Sequence, residues 1–228
     1  QFGTWSGANV GINGSGLFYP PMAMSPSSGR TVVGTSVINI DDSMGTGGWP
    51  GPGIALPGMV GRVSAVTFAS DNIIYAGTTD GKVYRLDFAG GTWSAARVLH
   101  AAPLPTGWIW DIQAYPGNVN KILVVFANFG ISHAWIGNVP AGAAPAAWTN
   151  AGAGLPNVPA YAIAFESASI IYVGTDLGVY RSINGGLSWN NYNQGMPNTA
   201  IYDLKYHSST QLLRAGTHGR GMWEIHTA

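Results

Sequence analysis

Apolar and polar residues alternate along most of this chain with a period near two. Val63-Ser-Ala-Val-Thr-Phe68 and Lys82-Val-Tyr-Arg85 are clear cases, and such alternation is typical of a β-strand with two differently covered faces. We find no window with the apolar spacing of an amphipathic helix. Glycine-rich turns separate the runs. The pattern therefore predicts short strands throughout and an all-β fold.

The strands recur in repeated units. Ala65-Val-Thr-Phe68 followed by Ile74-Tyr-Ala-Gly-Thr78 returns 97 residues later as Ala162-Ile-Ala-Phe165 followed by Ile171-Tyr-Val-Gly-Thr175, an offset of two units of about 48 residues. Only the third unit, with Ile122–Ala127, lacks the glycine of the Gly-Thr step. Tryptophans recur at the unit ends: Trp5, Trp49, Trp93, Trp148 and Trp189. Short strands in units of this length are the signature of a β-propeller.

We predict one domain, residues 1–228, built as a five-bladed propeller. The blades span about 18–60, 61–107, 108–158, 159–199, and 200–228 together with 1–17. The last unit stops after three strands, near Ile225. Gly3-Thr-Trp-Ser6 repeats Gly91-Thr-Trp-Ser94, which we place in the outermost strand of the second unit. We therefore expect the N-terminal strand, about Thr4–Val10, to pair with Met222–Ile225 and close the ring.

Two other architectures fit the same pattern. A β-sandwich would also contain short alternating strands, with the Gly-Thr and Trp recurrences arising by chance. A fragment of a ring with six to eight blades would also begin and end within a blade. The position of the N-terminal strand separates the five-bladed ring from the fragment.

Composition and charge exclude several classes of function. Ten Lys and Arg balance ten Asp and Glu, so the chain lacks the basic surface that nucleic acids or anionic membranes attract, and we exclude both partners. The absence of cysteine excludes disulfides and thiol catalysis. The longest apolar run is too short to cross a bilayer. Only 9% of residues are charged, and the many Gly, Ala, Ser, Thr and Asn residues favour a secreted or cell-surface protein.

One segment resembles a known repeat. Ser182-Ile-Asn184-Gly-Gly-Leu-Ser188-Trp189 is similar to the Asp-box pattern Ser-x-Asp-x-Gly-x-Thr-Trp, with Asn and Ser in place of Asp and Thr. With Ile171–Ser182 before it, it resembles the bacterial neuraminidase repeat of sialidases, xyloglucanase-type glycosidases and sortilin. The resemblance covers about residues 162–224. It implies a structural role for the box, on the face opposite the usual ligand site.

Catalytic candidates are few. Strand alternation brings the loops between units and the loops after each Gly-Thr step to one face, where Asp111 and Asp203 could act as general acid and base of a glycosidase. Arg220 alone of the arginines falls there, and the Phe-Arg-Ile-Pro segment of sialidases is missing. The five histidines are scattered without metal-ligand spacing. We expect no metal and no cofactor.

Aromatic residues are the best signal for binding. Trp108 and Trp110 flank Ile109 just before an inner strand, and an indole beside a carboxylate suits the apolar CH face and hydroxyls of a sugar. The full candidate ligand site at the channel mouth is Trp108, Trp110, Asp111, Tyr161, Asp176, Tyr202, Asp203, His218 and Arg220.

Three functions remain open. The first is a secreted, non-catalytic binding or assembly module, with carbohydrate as the expected ligand and a protein surface as the other possible partner. The second is a glycoside hydrolase, or a fragment of a larger glycosidase-type propeller. The third is a structural subunit of an extracellular assembly, in which near-zero net charge favours association.

Overall fold

The computed structural model describes residues 10–43 and 48–227, and this part of the chain contains strands and turns but no helix. The strands form five antiparallel sheets that follow one another along the chain. The first sheet contains β1 (Met22–Met24), β2 (Thr31–Gly34) and β3 (Ile38–Asp41). The second contains β4 (Val63–Ser70), β5 (Ile73–Thr78), β6 (Val83–Ala89), β7 (Thr92–Trp93) and β8 (Arg97–Val98), the last two both pairing with β6.

The remaining three sheets repeat this order. The third contains β9 (Ile109–Tyr115), β10 (Asn118–Phe126), β11 (Ala134–Asn138) and β12 (Ala147–Asn150). The fourth contains β13 (Ala160–Phe165), β14 (Ile171–Thr175), β15 (Gly178–Ser182) and β16 (Asn190–Asn191). The fifth contains β17 (Ile201–His207), β18 (Leu212–Thr217) and β19 (Met222–His226). Each of the five sheets lies within the bounds of one predicted unit.

The core is divided among the interfaces between consecutive sheets. Each strand alternates, so one face packs on the preceding sheet and the other on the following sheet. Four apolar clusters result, and each joins two neighbouring sheets. In β13, for example, Ile163 belongs to the cluster shared with the third sheet and Ala162 to the cluster shared with the fifth.

The glycine of the Gly-Thr step permits this close packing. A Cβ on Gly77 would lie 2.5 Å from Cγ2 of Ile109, the first residue of the next sheet, and Gly174 approaches Ile201 in the same way at 2.8 Å. In the third sheet, which lacks this glycine, Val125 packs in one cluster with Ala160. At this interface the small residue is Ala160 of the following sheet, and the larger one, Val125, is in the third sheet. The third unit can therefore lack the glycine of the sequence pattern.

The first and fifth sheets have no such interface with each other in the described residues. Met22 and Met24 of β1 occupy the register positions of Val66 and Phe68 in β4, yet they are 70% and 68% exposed whereas Val66 is buried. The outer edge of β19 has no described partner strand. The predicted pairing of this edge with Thr4–Val10 falls almost entirely outside the described residues.

Candidate functional site

The candidate site begins with a β-bulge that recurs in four sheets. In β4, β9, β13 and β17 the pairing register skips the second residue of the strand. A bulge leaves one residue unpaired and turns its side chain away from the regular alternation. The skipped residues are Ser64, Trp110, Tyr161 and Tyr202. One repeated backbone irregularity therefore places four side chains at equivalent positions.

These four residues line a common central cavity of about 220 Å³. Its lining draws on the first strand of every sheet, from Met22 in β1 to Lys205 in β17. The complete lining is Pro21, Met22, Ser64, Ala65, Val66, Trp110, Asp111, Gln113, Tyr161, Ala162, Tyr202, Asp203 and Lys205. The first strands of all five sheets thus contribute to one cavity.

Four aromatic rings form a continuous surface at this cavity, which we call the aromatic platform: Trp108, Trp110, Tyr161 and Tyr202. Trp110 is at its centre, with ring centroids 5.4 Å from Trp108, 5.1 Å from Tyr161 and 5.9 Å from Tyr202. Its ring is nearly parallel to that of Tyr202, at 29°. His218 meets the edge of Tyr202 at 5.4 Å. Rings at these separations support one another and present flat apolar surface.

The tryptophans of the platform differ in their indole N–H groups from five other tryptophans of the chain. Trp148 and Trp189 are buried and donate to the carbonyls of Leu99 and Ala151, at 3.0 and 2.7 Å. Trp93, Trp135 and Trp223 also donate to acceptors in the protein. Trp108 and Trp110 are half-buried, and within residues 10–43 and 48–227 neither donates its indole N–H to the protein. Both N–H groups can therefore bond a ligand.

The charged residues around the platform include a hydrogen-bonded carboxylate and an ion pair. The Tyr161 hydroxyl donates to Asp176 at 2.9 Å, and burial, with this carboxylate beside it, raises the pKa of Tyr161. Lys205 and Asp203 form an exposed ion pair at 3.3 Å. Lys205 is thus balanced by Asp203, whereas Asp176 keeps its negative charge, which disfavours an anionic ligand.

Asp111 has a structural role in addition to its position in the cavity. One carboxylate oxygen accepts from the Ile163 N–H of the next sheet at 2.8 Å, and the other accepts from the Ile112 N–H and the Gln113 amide. Burial raises its pKa to about 6, although these three hydrogen bonds oppose the shift. Asp111 thus links β9 to β13 through a hydrogen bond. This structural role is the alternative to a role of Asp111 in catalysis.

The structure brings together most of the predicted site. Eight of the nine candidate residues lie at the cavity or contact the platform, whereas Arg220 is exposed on the turn between β18 and β19 and shows no contact with the platform in the described residues. Sequence reasoning missed Ser64, Phe18 and Tyr19, which border the platform. Aligning Val63-Ser64 with Ile109-Trp110 as equivalent strand starts would have found Ser64.

The turn that resembles an Asp box lies at the other end of the sheets. Asn184 Oδ1 accepts from the N–H groups of Leu187 and Ser188, and Ser182 Oγ accepts from Gly186. The turn contacts Tyr115, at the end of β9 remote from Trp110, because the Tyr115 hydroxyl donates to the Gly185 carbonyl. Hydrogen bonds to the Ser182 and Asn184 side chains hold this turn.

The described residues contain no cluster of three or more His, Asp or Glu side chains that could hold a metal ion. Within the same part of the chain, no helix has the length and apolar character needed to span a membrane.

Comparison with solved structures identifies the architecture. The chain superposes on the crystal structure of the Cps50 (Swd1) β-propeller domain from Myceliophteria thermophila with a TM-score of 0.70, at 13% sequence identity, over 91% of this chain. The fold is a β-propeller. The superposition covers 65% of that domain, so this chain spans less than two thirds of its length. At this identity the likeness concerns the blade architecture alone. No protein-family model and no curated protein sequence matches the chain.

Proposed function

We propose that this propeller is a non-catalytic binding module of a secreted or cell-surface protein and that its ligand is a neutral carbohydrate. The observation that carries the proposal is the pair of half-buried tryptophans whose indole N–H groups do not donate to the described protein, on a platform of stacked rings. A pyranose ring presents an apolar CH face to stack on such rings and hydroxyls to accept from the two N–H groups. The negative charge of Asp176 beside Tyr161 favours an uncharged sugar over an anionic one.

A glycan array followed by calorimetric titration tests this proposal. We expect binding of one class of neutral oligosaccharide and loss of binding in Trp110→Ala. Trp93→Ala is the matched control, because Trp93 lies in the second blade and is not part of the platform. Absence of binding to any neutral glycan contradicts the proposal, as does equal loss in the two variants.

We also propose that the propeller has five blades and that its N-terminal strand completes the fifth. The support is that two connections between consecutive blades make the same backbone hydrogen bond. After the outer strand β12, the Ala153 carbonyl accepts from the Trp189 N–H of the next blade at 2.9 Å. The Val10 carbonyl accepts from the Trp49 N–H of the first blade in the same way at 3.0 Å.

The residues after these two carbonyls are also equivalent. Gly154 and Gly11 share a φ of +91°, and a Cβ on either would lie 2.2 Å from the carbonyl oxygen of the respective tryptophan. The match extends into the sequence, because Trp148 precedes Ala153 by five residues and Trp5 precedes Val10 by five. By this equivalence residues 4–7 correspond in sequence to β12, and we propose them as the outer strand of the blade that precedes the first one.

Hydrogen exchange in the full chain and in a chain without residues 1–9 tests closure. If residues 4–7 pair with β19, the β19 amides that do not donate to β18 are protected in the full chain and exchange rapidly after the deletion. Identical exchange in the two proteins supports the alternative in which the chain is part of a larger ring. Self-association through the exposed first and fifth blades would favour the assembly hypothesis.

A glycoside hydrolase is the second candidate, and the position of Asp111 favours it. Asp111 and Asp203 line the same cavity, and a carboxyl whose pKa is raised to about 6 can donate a proton near neutral pH. Release of reducing sugar from a bound oligosaccharide, lost in Asp203→Asn, would establish hydrolysis. We expect no release, because the three hydrogen bonds to Asp111 hold its oxygens against the backbone and the Gln113 amide.

A further inference from the structure

A cleft opens beside the platform where the bulge position is occupied by a small residue. The bulge carries Trp110, Tyr161 and Tyr202 in the third, fourth and fifth blades but Ser64 in the second. The space beside Ser64 is a cleft of about 360 Å³. Three blades therefore fill this position with their own aromatic ring, and the second leaves it open.

The walls of this cleft are aromatic and uncharged. Trp108 and Trp110 form one side, and Phe18 and Tyr19 form the other, with Leu17 and Pro21 completing the lining. Phe18 and Tyr19 meet edge to face at 4.7 Å and are 90% and 83% exposed. Large aromatic side chains held this far into solvent are a feature of binding surfaces, where a ligand covers the apolar area.

The base of the cleft is fixed by a hydrogen bond across the blade boundary. The Ser64 hydroxyl donates to the Ile109 carbonyl at 2.5 Å, directly beside Trp110. The Trp108 backbone is held in turn, because its N–H donates to Asn128 Oδ1 at 2.6 Å. The tryptophan wall is thus positioned before any ligand arrives, which lowers the entropic cost of binding.

We propose that this cleft is the primary subsite of the propeller and that one neutral pyranose ring of the oligosaccharide occupies the place left open at Ser64. The inference rests on the proposed carbohydrate function and adds to it the location of the ring. The ring stacks on the tryptophan wall, and its hydroxyls accept from the free indole N–H groups. The volume lies near the lower end of the range for small-molecule pockets, about 300–1000 Å³, so the cleft suits a short segment rather than a long chain.

Filling the cleft from the protein side provides the test. Ser64→Trp places an indole where the other blades carry their own ring, and we expect it to weaken binding of the probe at least about tenfold. The probes are cellotetraose, mannotetraose and N-acetylchitotetraose, measured by titration calorimetry. Ser208→Trp is the matched control, since it adds the same side chain on the exposed turn between β17 and β18. Ser64→Ala, which enlarges the cleft, weakens binding far less than Ser64→Trp.

A second variant keeps the test decisive if Ser64→Trp does not fold. Tyr19→Ala removes an exposed ring from the opposite wall with little cost to the fold, and we expect a loss of at least about threefold. If an oligosaccharide binds and neither variant weakens it, the cleft is not the subsite, although the carbohydrate function stands. If no oligosaccharide binds but N-acetyl-tryptophanamide does, the cleft receives an aromatic side chain of a protein partner, and both proposals are overturned.

Discussion

Trp148 and Trp189 lie between blades, whereas Trp110 lines the cavity and Trp108 packs beside it. The first two are buried and their indole N–H groups donate to backbone carbonyls of the preceding blade. The second two are half-buried, stack on neighbouring rings and leave their N–H groups unbonded within the described residues. The difference shows that tryptophan has two roles in this repeat protein. Where the indole N–H donates to a backbone carbonyl, the residue joins two blades, and where the N–H is unbonded, the residue presents a surface.

The largest effect is expected at the blade boundary. Trp189→Ala removes a buried ring and leaves the Ala151 carbonyl without its donor, so we expect a loss of about 3–5 kcal/mol in the free energy of unfolding. Trp110→Ala is the comparison variant and should lose less than half as much, since its ring is partly solvated. Urea denaturation measures both. Equal losses would remove the distinction between the two uses of tryptophan.

Asp111 belongs to both regions, because it lines the cavity and also bonds the next blade. Its pKa is raised by burial from 3.8 to about 6, so the folded protein binds this proton more tightly than the unfolded chain. The stabilisation is complete below the unfolded pKa, near 4, and is lost as pH rises through 6.

We therefore expect the stability of the wild type, relative to Asp111→Asn, to fall by on the order of 1–3 kcal/mol between pH 4 and pH 7. Urea denaturation of both proteins at the two pH values checks this. A pH-independent difference, or one that grows with pH, would show that burial does not govern this carboxyl.

At the platform the expected effects concern affinity rather than stability. Trp110→Ala should remove about 1–3 kcal/mol of binding free energy through lost stacking and buried area, with the fold intact. Calorimetry with the glycan selected by the array, beside a thermal unfolding curve, separates the two quantities. Finding that Trp110→Ala unfolds the protein would make Trp110 a core residue and would favour the assembly hypothesis.

The smallest effect isolates the indole N–H. Trp108→Phe keeps a stacking ring but removes the donor, and we expect a loss of about 0.5–1.5 kcal/mol in binding free energy, the usual contribution of one hydrogen bond. Titration calorimetry of Trp108→Phe and wild type with the same glycan measures it. Undiminished affinity would mean that the platform binds by its faces alone.

Much of the fold and part of the site could be predicted from the sequence. Alternation and the Gly-Thr repeat predicted the five sheets, and the rule that alternate turns share a face brought Trp110, Tyr161 and Tyr202 together. The alternation did not reveal the bulge, because the bulge lies at the second residue of each strand, before the alternation that it interrupts is established. Because the bulge was not recognised in the sequence, the equivalence of Ser64 with Trp110 was not predicted, and neither was the cleft.

The placement of Arg220 at the site had a different weakness. It rested on loop position alone, and in the structure the Arg220 side chain is exposed and makes no contact with the platform in the described residues. A shared face does not guarantee a shared site, because a side chain on a turn can point outward. The four bulged residues converge for the opposite reason, since each is held by a paired strand.

The most direct test of the central claim is a ¹H–¹⁵N spectrum of the tryptophan indole groups, recorded while the bound oligosaccharide is titrated in. The account predicts that the Trp108 and Trp110 indole resonances shift with ligand, because these N–H groups gain a bonding partner. The resonances of Trp148 and Trp189 should stay in place, because their N–H groups are already bonded between blades. Shifts confined to Trp148 and Trp189, or spread equally over all four, would contradict the assignment of the platform as the binding surface.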